Sequence, residues 1–475
     1  MTGESTSQAR GTAPGTGARC PVTGAVAGGA PPREPDGPTG LPLAWPVVGS
    51  TILYAADPPA FVLRAQHAHG TVVKLPMIPH NPTVQVTDPE GIRRILQGNA
   101  DNYRRGVYYE AFELFMGHGL LTLDDADWRG HRKVVNPAFT PNAIAERAAE
   151  TDAAVTDLTD RWAEHARTGR PFDLYAESMR LTCRVIGHAL VGRDLSRDGG
   201  EFARALSVAL EAIFKEVGSL EKMVPSFVPT PYRRRVTRAR RTLEEVVARA
   251  AWDADQGSGG EVAALIRASD LPEDAFWSDL VTLMLAGVET TALALAWTLH
   301  ETARHPGVRD RLEEEADRVL DGRLPTATDL DALTYTGMAV DEALRMHPPV
   351  WQFPRQTIED DVLAGRHIPA DTPVLISVYG AHYNPEQWED PHRFDPERFR
   401  PGSSPARDRS AYLPFGGGRR QCIGKKMGLA LLRQTVAAVH GRFRLSPVGA
   451  APRSGAYITL FPKKGIRVTA EERRR

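Results

Sequence analysis

Cys422 closes the run Phe415-Gly-Gly-Gly-Arg-Arg-Gln-Cys-Ile-Gly, with neither a second cysteine nor a histidine beside it. A cysteine binds metal as its thiolate, so a ligating cysteine needs surroundings that favour the anion. Here the stretch GKKMGLALLRQTVAAVHG follows directly and reads as a helix that ends at Gly441. Its unpaired N–H groups and positive dipole end would favour a thiolate at the preceding loop. Gly416, Gly417, Gly418 and Gly424 let backbone approach a large flat ligand without a Cβ in the way. Phe415 would cover the sulfur side of such a ligand, and Arg420 would pair with an acidic group on its edge. For an isolated cysteine, the plainer reading is a buried thiol after a glycine turn.

A second constellation is AGVETT, residues 286–291. Ala286 and Gly287 are small residues in mid-helix, which costs helix propensity at the glycine but leaves room beside a flat cofactor. Glu289 and Thr290 then form an acid–alcohol pair. The competing structural account has Thr290 bonded to the carbonyl four residues back and Glu289 in a salt bridge. A third constellation is Glu342 and Arg345, one helical turn apart. Charged pairs at this spacing decorate many ordinary helix faces.

Phe415, Gly418, Arg420, Cys422 and Gly424 complete the pattern F-x-x-G-x-R-x-C-x-G, which resembles the haem-ligand loop of the cytochrome P450 family. AGVETT matches that family's oxygen-binding stretch, and E-x-x-R lies between it and FDPERF, in the family's order. The resemblance implies the P450 fold: mainly α with small β-sheets, and haem buried between the long central helix and the helix after the cysteine loop. It implies haem b ligated through Cys422, with dioxygen as co-substrate and Glu289 and Thr290 delivering protons. Ala286 and Gly287 would lie beside the porphyrin. Glu342, Arg345 and Arg398 would brace the cysteine loop, while Trp128, Arg132, Arg355 and Arg420 would hold the haem propionates. His131 and His382 are left out of the haem shell, since a lone histidine is more often structural. Two mild departures occur: His347 stands before the Pro-Pro pair where an aromatic residue is common, and the acid is glutamate, not aspartate.

The family's substrate-contacting regions fall on Tyr108, Tyr109, Phe112, Phe115 and Met116, the Phe214 to Phe227 region, Leu283, Val350, Trp351, Phe353, Tyr457 and Ile458. This apolar and aromatic wall suits a lipophilic or aromatic small molecule of secondary metabolism. No flavin or iron–sulfur segment is attached, so a ferredoxin and its reductase are the expected electron source. Lys425 and Lys426 beside the cysteine loop are better placed to dock such a partner than RRRVTRARR (Arg233 to Arg241), which reads first as a solvated helix face. The expected function is monooxygenation: hydroxylation, epoxidation or oxidative coupling. The alternatives are a non-catalytic haem sensor or carrier, and a peroxygenase or isomerase of the same fold. Glu289 and Thr290 count against all of them.

The totals agree with that reading. The chain has 475 residues, 42% of them apolar, enough for one large helical domain. Its 58 basic and 59 acidic residues leave a net charge of −1, which argues against a nucleic-acid protein. Cys20, Cys183 and Cys422 are too few and scattered for a disulfide framework or a zinc site, and suit a reducing cytoplasm. Residues 280–299 approach the length of a bilayer span, but Glu289 at their centre argues for a buried helix of a protein without a transmembrane anchor.

The elements that must position these residues are mostly helical. Residues 1–38, rich in Gly, Ala, Thr, Ser and Pro, read as a disordered tail, 39–470 as a single monooxygenase domain, and 471–475 as a charged tail. GTVVKLPM and PTVQVTD alternate like two strands joined by a Pro/Asn turn. Helical periodicity covers residues 143–166, 201–217 and 272–305, and a further helix over 335–346 must stop before Pro348. Strand-like pieces fill 360–379. Nothing suggests an oligomer, so a monomer is expected.

Overall fold

The computed structural model describes residues 39–40, 50–77, 82–196, 204–206, 208–209, 211–212, 230–253, 260–402 and 408–474. The expected tail over 1–38, the Pro/Asn turn, most of the helix expected over 201–217 and the Phe214 to Phe227 region lie outside the described residues.

Seven helices carry the architecture: α1 (Asp125–Val135), α2 (Ala148–Thr168), α3 (Leu174–Val191), α4 (Pro231–Asp253), α5 (Glu273–Arg304), α6 (Thr334–Met346) and α7 (Lys425–Arg442). The periodic stretch 143–166 is broken in two, since a short helix Pro141–Glu146 ends at Arg147 before α2 begins. On α4, Arg235 pairs with Glu211 and Arg240 with Glu244, as suits a solvated face.

α5 is the axis of the molecule. It starts after Pro272 with Glu273 and Asp274 in its first turn, where acids complement the dipole. It stops at Arg304 because His305 precedes Pro306 and adopts φ −113° and ψ 89°, outside the helical region. By length and composition α5 suffices to cross a bilayer, yet 78% of its most apolar window is buried within the protein. Its first half joins Trp128, Phe112 and Ile186 in one apolar cluster; its second half joins Trp162, Val436 and Phe443 in another. α6 likewise ends at His347, before Pro348, with φ −128° and ψ 60°.

The strands form small sheets at the edges. The largest runs in the order Thr39–Gly40, Val72–Leu75, Thr83–Val86, Pro373–Ser377, Gln352–Thr357 and Tyr103–Arg104, mixing parallel and antiparallel pairs. A second joins Phe443–Pro447, Arg467–Glu472 and Phe172–Asp173. The hairpin Ser454–Ala456 with Leu460–Pro462 carries Tyr457, Ile458 and Thr459 on its turn.

Two expectations need correction. Gly441 does not end the last helix: α7 runs to Arg442, and Gly441 sits in its final turn against Ala316 and Leu320. The ordered chain does not end at 470 either. The strand Arg467–Glu472 runs two residues into the expected charged tail, and Arg473 pairs with Glu313 and Asp317.

Candidate active site between the central helix and the cysteine loop

The loop before α7 turns tightly on itself: the Cys422 amide donates to the Phe415 carbonyl at 3.0 Å. Gly418 has φ +66°, and a Cβ there would come within 2.0 Å of the Leu96 carbonyl oxygen. This glycine is therefore required by a close approach of two backbones, rather than by a ligand alone. Cys422 lies two residues before Gly424, the residue that caps α7. Its thiol sits deep among protein atoms yet keeps an accessible side. Burial pushes its pKa up; N–H groups of Gly424 and Lys425 and the charge of Arg132 pull the other way. Phe415 packs against the second apolar cluster, with the Lys425 ammonium 5.9 Å from its ring centre. Arg419, given no role from sequence, pairs with Asp101 and Asp125.

The middle of α5 shares an apolar cluster with Ile423 and Met427, which follow Cys422. Ala286 is exposed although the helix on both sides of it is buried. The neighbouring glycine faces another way, and a Cβ on Gly287 would meet Ile186 of α3 at 3.3 Å. Its small size therefore serves helix packing, a correction to its placement beside the cofactor. The Thr290 hydroxyl donates to the Ala286 carbonyl at 2.5 Å, the back-bonded arrangement. Glu289 is buried and forms no salt bridge among the described residues. Its carboxyl accepts instead from the Tyr175 hydroxyl at 3.4 Å, and the Thr459 hydroxyl also acts on it. Burial pushes its pKa up to about 7, against the pull of the two hydroxyls.

Three arginines gather around Tyr109. Arg105 donates to the Tyr109 hydroxyl at 2.8 Å, and Arg355 to the same oxygen at 3.3 Å. Arg420 donates to Asp125 at 2.7 Å and to the Leu123 carbonyl at 2.8 Å, with its guanidinium 4.5 Å from the Trp128 ring centre. Burial drives Arg355 down to about 10 and Arg105 down as well. Burial alone would raise Tyr109, but the arginines outweigh it and pull its pKa below the ordinary value. The buried Nε of Arg105 has no hydrogen-bond partner among the described residues. Buried cations in excess of buried anions need a ligand with negative charge. Arg132, expected with this group, lies over the Trp128 ring at 5.9 Å but bonds elsewhere: it donates to Asn136 at 2.9 Å and to the Gln421 carbonyl at 3.1 Å, and its charge acts on Cys422. Arg105 was missed by the sequence reading, and Tyr109 was read only as an aromatic wall; neither carries a motif.

The charged network is built as expected and reaches further. Arg345 donates to both oxygens of Glu342 at 2.7 and 2.8 Å, and Arg398 reaches the same carboxylate at 3.3 Å. Arg345 also donates to the His382 carbonyl at 3.0 Å. The His382 ring spans from the Arg345 carbonyl (2.9 Å) to the Leu413 amide (2.8 Å), two residues before Phe415. Burial depresses its pKa to about 3, so the ring is neutral and Nε2 can accept that amide. His382 is thus the physical link from the network to the cysteine loop. His131 bonds Asp279 at 2.7 Å.

The expected substrate wall divides. Phe112, Met116, Leu283 and Ile458 belong to the first apolar cluster with Trp128. Val350 and Tyr457 are half-buried, the latter 4.9 Å from Phe461. Trp351 is a correction: it is fully buried with Tyr54, Val62 and Leu75, donating to the Tyr457 carbonyl at 2.9 Å. Its indole needed an acceptor, and the core supplied one. Tyr108 is buried, with its hydroxyl 2.7 Å from that of Thr83. Phe353 packs towards the largest sheet, under the Arg355 guanidinium. The side chain of Phe115 lies outside the described residues.

These features fit a haem: a thiol with an accessible side, an accessible alanine in the middle of the central helix, and an arginine cluster short of counter-ions. The comparisons agree. The family model "Cytochrome P450" matches residues 38–469. Cyclooctatin synthase of Streptomyces melanosporofaciens is 34% identical over 91% of this chain and 95% of its own length. Cyclooctat-9-en-7-ol 5-monooxygenase of the same organism is 34% identical over 90% of this chain and 94% of its own length, and pentalenene oxygenase of Streptomyces avermitilis 29% over 90% and 96%. The crystal structure of the cytochrome P450DA heme domain superposes with a TM-score of 0.82 at 22% identity, covering 93% of this chain and 99% of that one.

Proposed function

The chain belongs to the cytochrome P450 family and is a haem-thiolate monooxygenase, and we propose that it oxidises a cyclic, mostly hydrocarbon small molecule in secondary metabolism. The observation that carries the substrate class is the likeness, along nearly the whole chain, to enzymes named for pentalenene and cyclooctat-9-en-7-ol. Both names denote ring compounds with a double bond. The apolar lining from Phe112, Leu283 and Ile458 supports the same class.

The haem, when bound, supplies the dioxygen chemistry and the strongly polarised iron–thiolate bond. The protein's part is to hold, shield and protonate. Cys422 is the ligand; the Gly424 and Lys425 amides favour its anion and α7 adds its positive end. Arg105, Arg355 and Arg420, with Tyr109, would hold the two carboxylates of the porphyrin edge. Phe415 excludes water from the sulfur side. Ala286, small and accessible, would leave room for substrate and dioxygen beside the group. Thr290 spends its proton on the Ala286 carbonyl, so its oxygen can accept a further hydrogen bond. Glu289, poised at about 7, can take up and release a proton at neutral pH.

Electrons come from a separate ferredoxin and its reductase. Arg132, Lys425 and Lys426 line a surface cavity of about 210 Å³ beside Cys422, a cationic face suited to an acidic partner. We read the ordered chain as one catalytic domain of a cytoplasmic monomer.

Cys422→Ala is expected to remove the long-wavelength Soret band of the reduced, CO-bound protein; persistence of the band sinks the ligand assignment. Substrate class is tested by adding pentalenene and cyclooctat-9-en-7-ol and following the Soret shift. If neither moves the band while flat aromatic compounds do, the cyclic-hydrocarbon reading is wrong.

A further inference from the structure

Asp279 lies fully buried near the start of α5, and its two oxygens hold two different elements. Oδ1 accepts the Leu120 amide at 2.8 Å, and Oδ2 bonds the His131 ring at 2.7 Å. Leu120 belongs to the turn that joins the helix Glu110–Met116 to α1, while His131 lies on α1 itself. That turn is stiff. The Thr122 hydroxyl donates to the Gly117 carbonyl at 2.8 Å and accepts the Gly119 amide at 3.0 Å, and the Leu123 amide donates to the Gly119 carbonyl at 3.0 Å. The turn also sits directly on α5: a Cβ on Gly119 would come within 2.8 Å of the Ser278 carbonyl oxygen. Its far end grips an arginine. The Leu123 carbonyl accepts from Arg420 at 2.8 Å, and Asp125, in the first turn of α1, takes the same guanidinium at 3.1 and 2.7 Å. Between them, Asp124 accepts the Arg105 amide at 3.1 Å. Both elements that hold Arg420 are therefore fastened to one carboxylate.

We propose that Asp279 is a positioning residue for the haem edge: through the Leu120 turn and through His131 on α1, it sets where Leu123 and Asp125 hold the Arg420 guanidinium. The inference rests on Arg420 facing a haem carboxylate. Arg420 is a planar fork whose hydrogen bonds fix its direction as well as its place. Releasing Leu120 lets the Leu123 carbonyl drift, and releasing His131 lets α1 carry Asp125 away. Either movement turns the fork from the carboxylate it should meet. An uncharged amide can keep both contacts, since its oxygen accepts from Leu120 and its nitrogen can donate to the His131 ring. The role is therefore geometric, and asparagine should preserve it.

The test measures the rate of haem release from the loaded protein and the potential of its iron. Asp279→Ala should release haem about tenfold faster, the size of one lost charge-assisted hydrogen bond, and lower the potential because a carboxylate is left less neutralised. Asp279→Asn should stay within about twofold of wild type. In an Arg420→Lys background, where the fork is gone, Asp279→Ala should change release by less than about twofold. His131→Phe frees α1 alone and should give a smaller step in the same direction. It takes the place of Asp279→Ala in both backgrounds if that variant does not fold. Leu312→Ala, a cavity in a separate cluster, lowers stability away from Arg420 and should move neither reading. Equal effects in the two Arg420 backgrounds overturn the proposal, as does an unmoved His131→Phe, or release from Leu312→Ala as fast as from Asp279→Ala. The CO-bound Soret band separates this failure from that of the monooxygenase reading. A wild type without the band condemns the haem-thiolate assignment; an intact band with equal effects in both backgrounds condemns only the link from Asp279 to Arg420.

Discussion

Glu342 and Glu289 are two buried glutamates on two helices, α6 and α5, at 0% and 5% exposure. Their surroundings differ completely. Glu342 receives three guanidinium contacts from Arg345 and Arg398 and the Asp395 amide at 2.9 Å. Among the described residues, Glu289 meets the hydroxyls of Tyr175 and Thr459 and no cation. A carboxylate matched by rigid cations is held in one geometry and can bear structure. A carboxylate without cations hovers between its two protonation states and can carry protons. One protein thus builds the same side chain into a brace and into a proton store, and the choice is made by what the neighbouring elements present.

The sharpest way to break this contrast is to remove the brace. Arg345→Leu leaves Glu342 buried with Arg398 alone, and losing one partner of a buried pair costs about 3–5 kcal/mol. The His382 contacts that reach Leu413 lose their anchor as well. We expect a large fall in the urea midpoint together with poor haem retention. A loss below about 1 kcal/mol, the range of surface pairs, would mean that the network bears little of the fold.

Glu289→Gln should act in the opposite sense. The folded-state pKa of Glu289 is raised from 4.5 to about 7. Its contribution to stability is therefore complete below pH 4.5 and is lost as pH rises through 7. The full loss amounts to about 3 kcal/mol. The buried His300, His382 and His440, with pKa values lowered to about 4, 3 and 3, act the other way: their contribution is lost as pH falls below 6.5. Only the difference between wild type and variant isolates Glu289. Gln cannot ionise, so unfolding free energies at pH 5 and pH 9 should converge by about 3 kcal/mol relative to wild type. Parallel pH profiles would show that Glu289 is not the proton store.

What could be seen in the sequence was whatever is local. The cysteine loop, the acid–alcohol pair and E-x-x-R each lie within ten residues, and α5 is bounded by prolines that speak for themselves. What escaped depends on which distant element arrives beside a residue. Gly287 is small because Ile186, a hundred residues earlier in the chain, packs on it. Trp351 looked like pocket because it neighbours Val350 and Phe353, yet Tyr54 and Leu75 enclose it. Arg105 joins Arg355 and Arg420 only in space, meeting them around a tyrosine four residues on. His382 shows the converse: setting it aside as a haem neighbour agrees with its place in the network, but its span to Leu413 depends on a contact thirty-one residues along.

The smallest expected effect on stability is also the most discriminating for chemistry. Thr290→Ala removes one hydroxyl bonded to the carbonyl of its own helix. A helical hydrogen bond of this type is worth about 1 kcal/mol at most, and alanine's better helix propensity offsets part of it. The urea midpoint should hardly change. If Thr290 serves only the helix, turnover should be equally indifferent. If its oxygen receives the proton that Glu289 supplies, electrons will still be consumed, but more of them will leave as hydrogen peroxide and fewer as product. Thr290→Ser, which keeps the oxygen, should recover much of the coupling. Peroxide released per NADPH consumed, measured beside the melting curve, separates the two roles. An unchanged ratio in Thr290→Ala would leave Glu289 as a buried acid whose proton goes somewhere other than Thr290.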